Sequence, residues 1–156
     1  MSVAFRRESD EEHLEPKFEL PFPLGPNLVT ARGLALIETR NAELAAAIAA
    51  ESKPEQLLVL QRDLRYWRAR LTTAQLAPAP SGDIVALGTT VTIEQDGKGR
   101  VLDIVGHDES EPAAGRIAFT APLAKALIGS EIGEEIAPPG PGGTIMVVAI
   151  DVRGDA

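Results

Sequence analysis

The chain has 156 residues, a formal net charge of −8 and no cysteine. That length holds one ordinary domain of about 100 to 150 residues plus an extension. The absence of thiols excludes disulfides, thiolate metal sites and a cysteine nucleophile and fits a reducing cytoplasm, while the acidity argues against sequence-independent binding to duplex DNA, which needs a basic face.

No apolar run approaches the roughly 20 residues of a spanning helix, and "MSVAFRRESDEEHLEP" turns acidic before a signal core can form. A cytoplasmic protein with no membrane partner is expected. Residues 1–29 join a charge run to "LPFPLGPN", whose prolines remove backbone donors. This reads as an extended or disordered arm. Alternatively, Phe18, Leu20, Phe22 and Leu24 alternate with other residues and dock as a strap along a groove.

From Thr30, a plausible helix cap, Leu34, Ile37, Asn41, Leu44 and Ile48 recur at spacings of three and four. That is a coiled-coil seam with one polar member. Leu57, Leu60, Leu64, Trp67, Leu71 and Ala74 repeat the spacing, so residues 30–76 are predicted to form an antiparallel helical hairpin of two arms, each about 30 Å long. Between the arms, Ser52-Lys53-Pro54-Glu55 fits a capping box with Ser52 as cap. The functional alternative is that Glu51 and Glu55, at the hairpin tip, share a divalent cation, a weak site with only two carboxylates.

In "QRDLRYWRARL", Arg62, Arg65 and Arg68 form a basic face, with Arg70 nearby and Trp67 at the seam. Such a cluster meets phosphates or an acidic protein groove. The competing reading is a solvated outer face that pairs with Glu38 or Glu43 on the opposite arm.

"APAPSG", residues 77–82, ends the second helix as a linker. In residues 83–156, "TTVTIEQ" and "GRVLDIVG" are strands joined by the hairpin signal "DGKG". "GRIAFT" and "EEIAP" are further strands, with the short helix "APLAKALIG" between them, and "TIMVVAIDV" closes the module. The fold class is α+β: the helical hairpin, then a small curved antiparallel sheet with one short helix on a face. His13 and His107 stand apart from any cage-like spacing. No nucleotide loop or nucleophile elbow occurs, so neither a cofactor nor an enzymatic activity is expected.

The second module resembles the C-terminal domain of the bacterial GreA/GreB transcript-cleavage factors. "ALGTTVTIE", "DIVGHDESEPAAGRIAFTAPLAKALIGSEIGEEI" and "GGTIMVVAI" follow that family's order of strand, G-x-D-E loop, strand, short helix and closing hairpin. "LVTARGLALIE" is similar to the T-x-x-G-hydrophobic opening of the Gre hairpin and "RDLRYWRARLTTAQL" to its returning arm, so the resemblance spans about residues 28–152.

The resemblance implies an FKBP-like C-terminal domain that grips RNA polymerase at the rim of its secondary channel while the hairpin enters. It also implies contact with nascent RNA inside that complex. In Gre factors an acidic D-x-x-E-N tip helps hold the polymerase's second metal ion. Here "AAESKPEQL" lacks that signature, and the arms are two to three turns shorter, about 11 to 16 Å. Glu51 and Glu55 therefore do not inherit the catalytic role. The rim-binding segment is Thr120, Ala121, Pro122 and Leu123, in which Thr120 and Ala121 replace the family's usual Asp or Asn, then Ser. The expected function is a Gre-like elongation factor without efficient cleavage stimulation. The alternatives are a prolyl isomerase, disfavoured by Phe119 being the lone aromatic after residue 82, a regulator of nucleoside diphosphate kinase like Rnk, and a scaffold that dimerises through its coiled coil.

Overall fold

Two helices of equal length dominate the first half of the chain. The computed structural model describes residues 19–154, which fall into two compact units. One holds Ile37–Thr73 with the described residues up to Gly25; the other holds Pro26–Leu36 and the chain from Ala74 onward. Sequence patterning sets boundaries at Thr30, Ala77 and Asp83; across the first two of them, backbone hydrogen bonds join the residues that flank the two helices to one another. Gln75 N–H donates to the Asn27 carbonyl and Ala77 N–H to the Val29 carbonyl, each at 2.9 Å. The result is a two-residue parallel ladder of β1 (Leu28–Val29) and β2 (Gln75–Leu76), which sequence patterning did not predict. His13 and Phe18 lie outside the described residues.

α1 (Ala31–Ala50) and α2 (Pro54–Thr73) have 20 residues each, about 30 Å at the helical rise. In the helical unit Ile37, Leu44 and Leu64 are buried, and each such side chain contributes about 1.5 to 3 kcal/mol. The polar seam residue Asn41 donates from Nδ2 to the carbonyls of Ile37 and Trp67, both at 2.9 Å. The expected seam fails at its end, where Leu71 is exposed and Arg70 is buried instead. A spacing of three and four drifts about 20° per heptad on a straight helix, so the stripe begun at Leu57 has left the buried side by Leu71.

The start of α2 also corrects an expectation. Ser52 is not the cap: Leu57 N–H reaches the Lys53 carbonyl at 3.0 Å, so the helix opens one residue later, with Pro54 at its first position. There the absent proline N–H costs nothing.

The sheet unit is built on five strands in the order β5-β4-β3-β7-β6. They are β3 (Thr89–Gln95), β4 (Lys98–Val105), β5 (Arg116–Ala118), β6 (Glu135–Ile136) and β7 (Ile145–Val152). Asp96 and Gly97, at φ 52° and 76°, make the tight β3–β4 turn, whose twist matches the strands it joins. The sheet is not wholly antiparallel as expected, because β5 runs parallel to β4. Short 3-10 turns at His107–Glu109 and Pro112–Ala114 lie on the crossover between those strands. A bulge lies between Thr92 and Ile93 where β3 meets β7, and bulges increase local twist.

The period-two pattern of β3 turns Val91 and Ile93 inward onto Leu102, Ile104, Ile145 and Val147. The six-residue α3 (Pro122–Leu127) closes this core with Ala124 and Leu127. It ends at Gly129, whose φ of 91° suits only glycine without strain.

Candidate functional site

The two sequence motifs that opened the helix and the crossover loop meet in space. Thr30 Oγ1 accepts the N–H of Gly33 at 3.0 Å and donates its own proton to Glu109 Oε1. The second carboxylate oxygen receives Arg32 Nη1 at 2.9 Å. Glu109 is only 5% exposed, and a buried carboxylate is tolerated only when its oxygens are satisfied in this way. Gly106, at the other end of the contact, runs so close to the chain that a Cβ would stand 2.7 Å from the Leu28 carbonyl. This joint fixes the N-terminal turn of α1 against the crossover loop.

The segment Thr120–Leu123 follows β5 and starts α3. Phe119 N–H bonds the Val105 carbonyl at 2.8 Å and Ala121 N–H the Ala118 carbonyl at 2.9 Å, so the segment leaves the sheet in a defined direction. Thr120, Ala121 and Leu123 are half-buried, and Pro122 is exposed. Ala121 is the cap of α3, with extended backbone at φ −66° and ψ 148° and no side-chain hydrogen bond. The geometry of an N-cap is present without its usual oxygen.

At the turn between the long helices Glu51 is spent locally, its Oε1 accepting the N–H of Lys53 at 3.0 Å. Glu55 is exposed in the first turn of α2. Among the described residues, no three His, Asp or Glu side chains gather as a metal-binding group. His107 is exposed.

The basic face is divided among separate partners. Arg62 pairs with its neighbour Asp63 at 3.0 Å, Arg65 with Glu19 at 2.6 Å, and Arg68 is exposed. Glu43, expected to pair across to these arginines, instead meets Arg40 on its own helix at 3.0 Å. Arg40 also lies over the Trp67 ring, 5.5 Å from its centroid. The hydrogen bonds from Arg65 hold the Glu19 carboxyl below its ordinary range, with partial desolvation opposing and the charges of Arg65 and Arg62 reinforcing. Of the strap positions among the described residues, Leu20 is half-buried, Phe22 stacks on Tyr66 at 5.6 Å and Leu24 is 93% exposed.

Residues 79–153 match the family model described as transcription elongation factor, GreA/GreB, C-term. Transcription elongation factor GreA of Thermomicrobium roseum is 43% identical over 105 residues, a match covering 65% of this chain and 67% of that protein. The chain belongs to the GreA/GreB family. GreA of Bacillus cereus is likewise 43% identical, over 72 residues, which make up 45% of this Gre-family chain and just 46% of the relative. Among solved structures, GreA factor homolog 1 of Thermus thermophilus is 19% identical, covering 81% of this chain and 99% of its own at a TM-score of 0.39.

Family membership also makes sense of what sequence reading missed. Thr30, Gly33 and Glu109 sit in the two segments that carry the Gre resemblance, T-x-x-G and G-x-D-E, but nothing in either segment alone says that they touch. The inward turn of Arg70 and the Glu19–Arg65 pair carry no local signal either. A charged residue at a helix end reads as surface, and the members of the second pair lie 46 positions apart.

Proposed function

We propose that this protein is a Gre-like factor that binds RNA polymerase at the secondary channel and modulates transcription without efficiently stimulating transcript cleavage. The observation that carries the reading is the family match over residues 79–153, which takes in the whole five-stranded sheet. On this reading the sheet unit is an FKBP-like anchor that meets the channel rim through Thr120–Leu123, where the exposed Pro122 is the natural first contact. α1 and α2 form the antiparallel hairpin that enters the channel, and nascent RNA is met only inside that complex.

The chain performs no chemistry of its own on this reading. Catalysis at a two-metal centre needs carboxylates within coordination distance, about 2.0 to 2.6 Å of the ion. Glu51 is engaged with the Lys53 N–H and Glu55 is exposed, which argues against a preformed pair at the tip. Phe119 packs against the core of the sheet unit, which argues against the isomerase alternative.

The test is to add the protein to stalled, backtracked elongation complexes and to measure polymerase binding and RNA shortening together. Binding without shortening is expected. Prompt shortening that disappears in a Glu51→Ala, Glu55→Ala double variant would show a working acidic tip and end this reading.

A further inference from the structure

We propose that the Arg65–Tyr66 face of α2 is an acceptor site for an acidic protein segment, occupied in the free chain by its own residues Glu19–Phe22 and taken over by a partner segment of the same chemistry. This goes beyond the polymerase reading and does not rest on it.

The bound occupant itself shows what the site recognises. Arg65 Nε donates to Glu19 Oε1 at 3.0 Å and Oε2 at 2.8 Å, and Nη2 donates to Oε1 at 2.6 Å. A guanidinium edge matched to both oxygens of one carboxylate is the geometry by which arginine selects carboxylates. One residue further along α2, the Tyr66 ring receives Phe22 in a stacked arrangement, with centroids 5.6 Å apart and planes at 13°. Tyr66 is in turn braced edge-on by Trp67 at 5.4 Å. The site thus reads a carboxylate and, three residues later, a flat apolar ring. The charge of Arg62 also acts on the same carboxylate.

The occupant is lightly held. The Glu19 side chain is 60% exposed and Phe22 is 54% exposed, and among the described residues no backbone hydrogen bond fixes residues 19–25. Contacts of this exposure are weak individually and persist because the tether keeps the segment's local concentration high. A partner segment that adds backbone or apolar contacts to the same two anchors would displace it. A protein segment fits better than a nucleic acid, because one carboxylate saturates the single guanidinium edge. A run of phosphates would face a chain of net charge −8.

The experiment uses the full chain, wild type and with Glu19→Arg and Phe22→Ala, and reads fluorescence anisotropy of a labelled peptide reproducing residues 19–25. Circular dichroism checks that each variant folds. The peptide is expected to bind the opened variant about tenfold more tightly than wild type, and adding Arg65→Glu should abolish that binding. A short single-stranded RNA should not distinguish the wild-type and opened proteins. Equal peptide affinity for the two, no binding to either, or indifference to Arg65→Glu would overturn the proposal. RNA binding that rises on opening and exceeds the peptide's would overturn the assignment to a protein segment.

Discussion

Gly33 lies so close to Glu109 that a Cβ on it would stand 2.6 Å from the carboxylate oxygen Oε1 and 3.1 Å from Cδ. A flexible carboxylate elsewhere would swing aside, but this one is buried and held by Thr30 and Arg32. Gly33→Ala is therefore expected to destabilise the protein by about 1 to 3 kcal/mol, despite alanine's helix preference of about 1 kcal/mol over glycine. In a Glu109→Ala background the obstacle is gone, and the same substitution should become neutral or stabilising. Urea denaturation of the four proteins in this cycle reads the change of sign, and a Gly33→Ala cost that survives the loss of Glu109 would refute the steric account.

Ala121 has the backbone of an N-cap, and its carbonyl already accepts the N–H of Lys125 at 2.9 Å, but no side-chain oxygen serves the first turn of α3. Ala121→Ser supplies that oxygen without moving the chain. A gain of about 0.5 to 1 kcal/mol is expected, seen as a rise of about 2 to 8 °C in the melting temperature of the sheet unit. An unchanged or lower melting temperature would mean that the first turn is already satisfied by solvent.

The legible parts of this fold are those where local chemistry and tertiary packing agree. The positive φ needed after Gln95 is written in Asp96-Gly97, the alternation of Val91 and Ile93 marks an inward strand face, and the hydroxyl of Thr30 three residues before the Gly33 N–H marks a helix start. Where two readings competed within one short stretch, the stronger local preference decided. Ser52 is a good capping residue, but Pro54 favours the first helical position and moved the cap to Lys53. The parallel pairing of β4 with β5 depends on how the crossover folds, and the latch at Glu109 depends on bringing residue 30 to residue 109. Neither is a property of any window of sequence.

Asn41 is the polar member of an otherwise apolar seam, and its amide nitrogen serves two carbonyls, one on its own helix and one on α2. Asn41→Ala removes both bonds and leaves the Trp67 carbonyl without this donor in a half-buried site. A loss of about 1 to 2 kcal/mol is expected. Hydrogen exchange in the segment around Trp67 should accelerate along with it, since the bond pins one helix to the other. A global loss with no local change in exchange would indicate that Asn41 acts through α1 alone.

The Glu19–Arg65 pair makes the N-terminal segment sensitive to pH, and the sign follows from the direction of the shift. Hydrogen bonding to Arg65 lowers the Glu19 pKa below its ordinary value of about 4.5. A group lowered by a contact supports that contact fully above its free value and withdraws support as pH falls through the lower bound value. The segment should therefore stay seated from neutral pH down to about 4.5 and open below it, while the helices, held by the buried Ile37, Leu44 and Leu64, remain folded. Because both side chains are more than half exposed, added salt should weaken the contact at neutral pH as well. Tyr66 ring resonances in NMR spectra report the stacking of Phe22 directly. Acid-dependent shifts that vanish in Glu19→Gln are expected, and shifts that persist in that variant would assign the transition to another carboxylate.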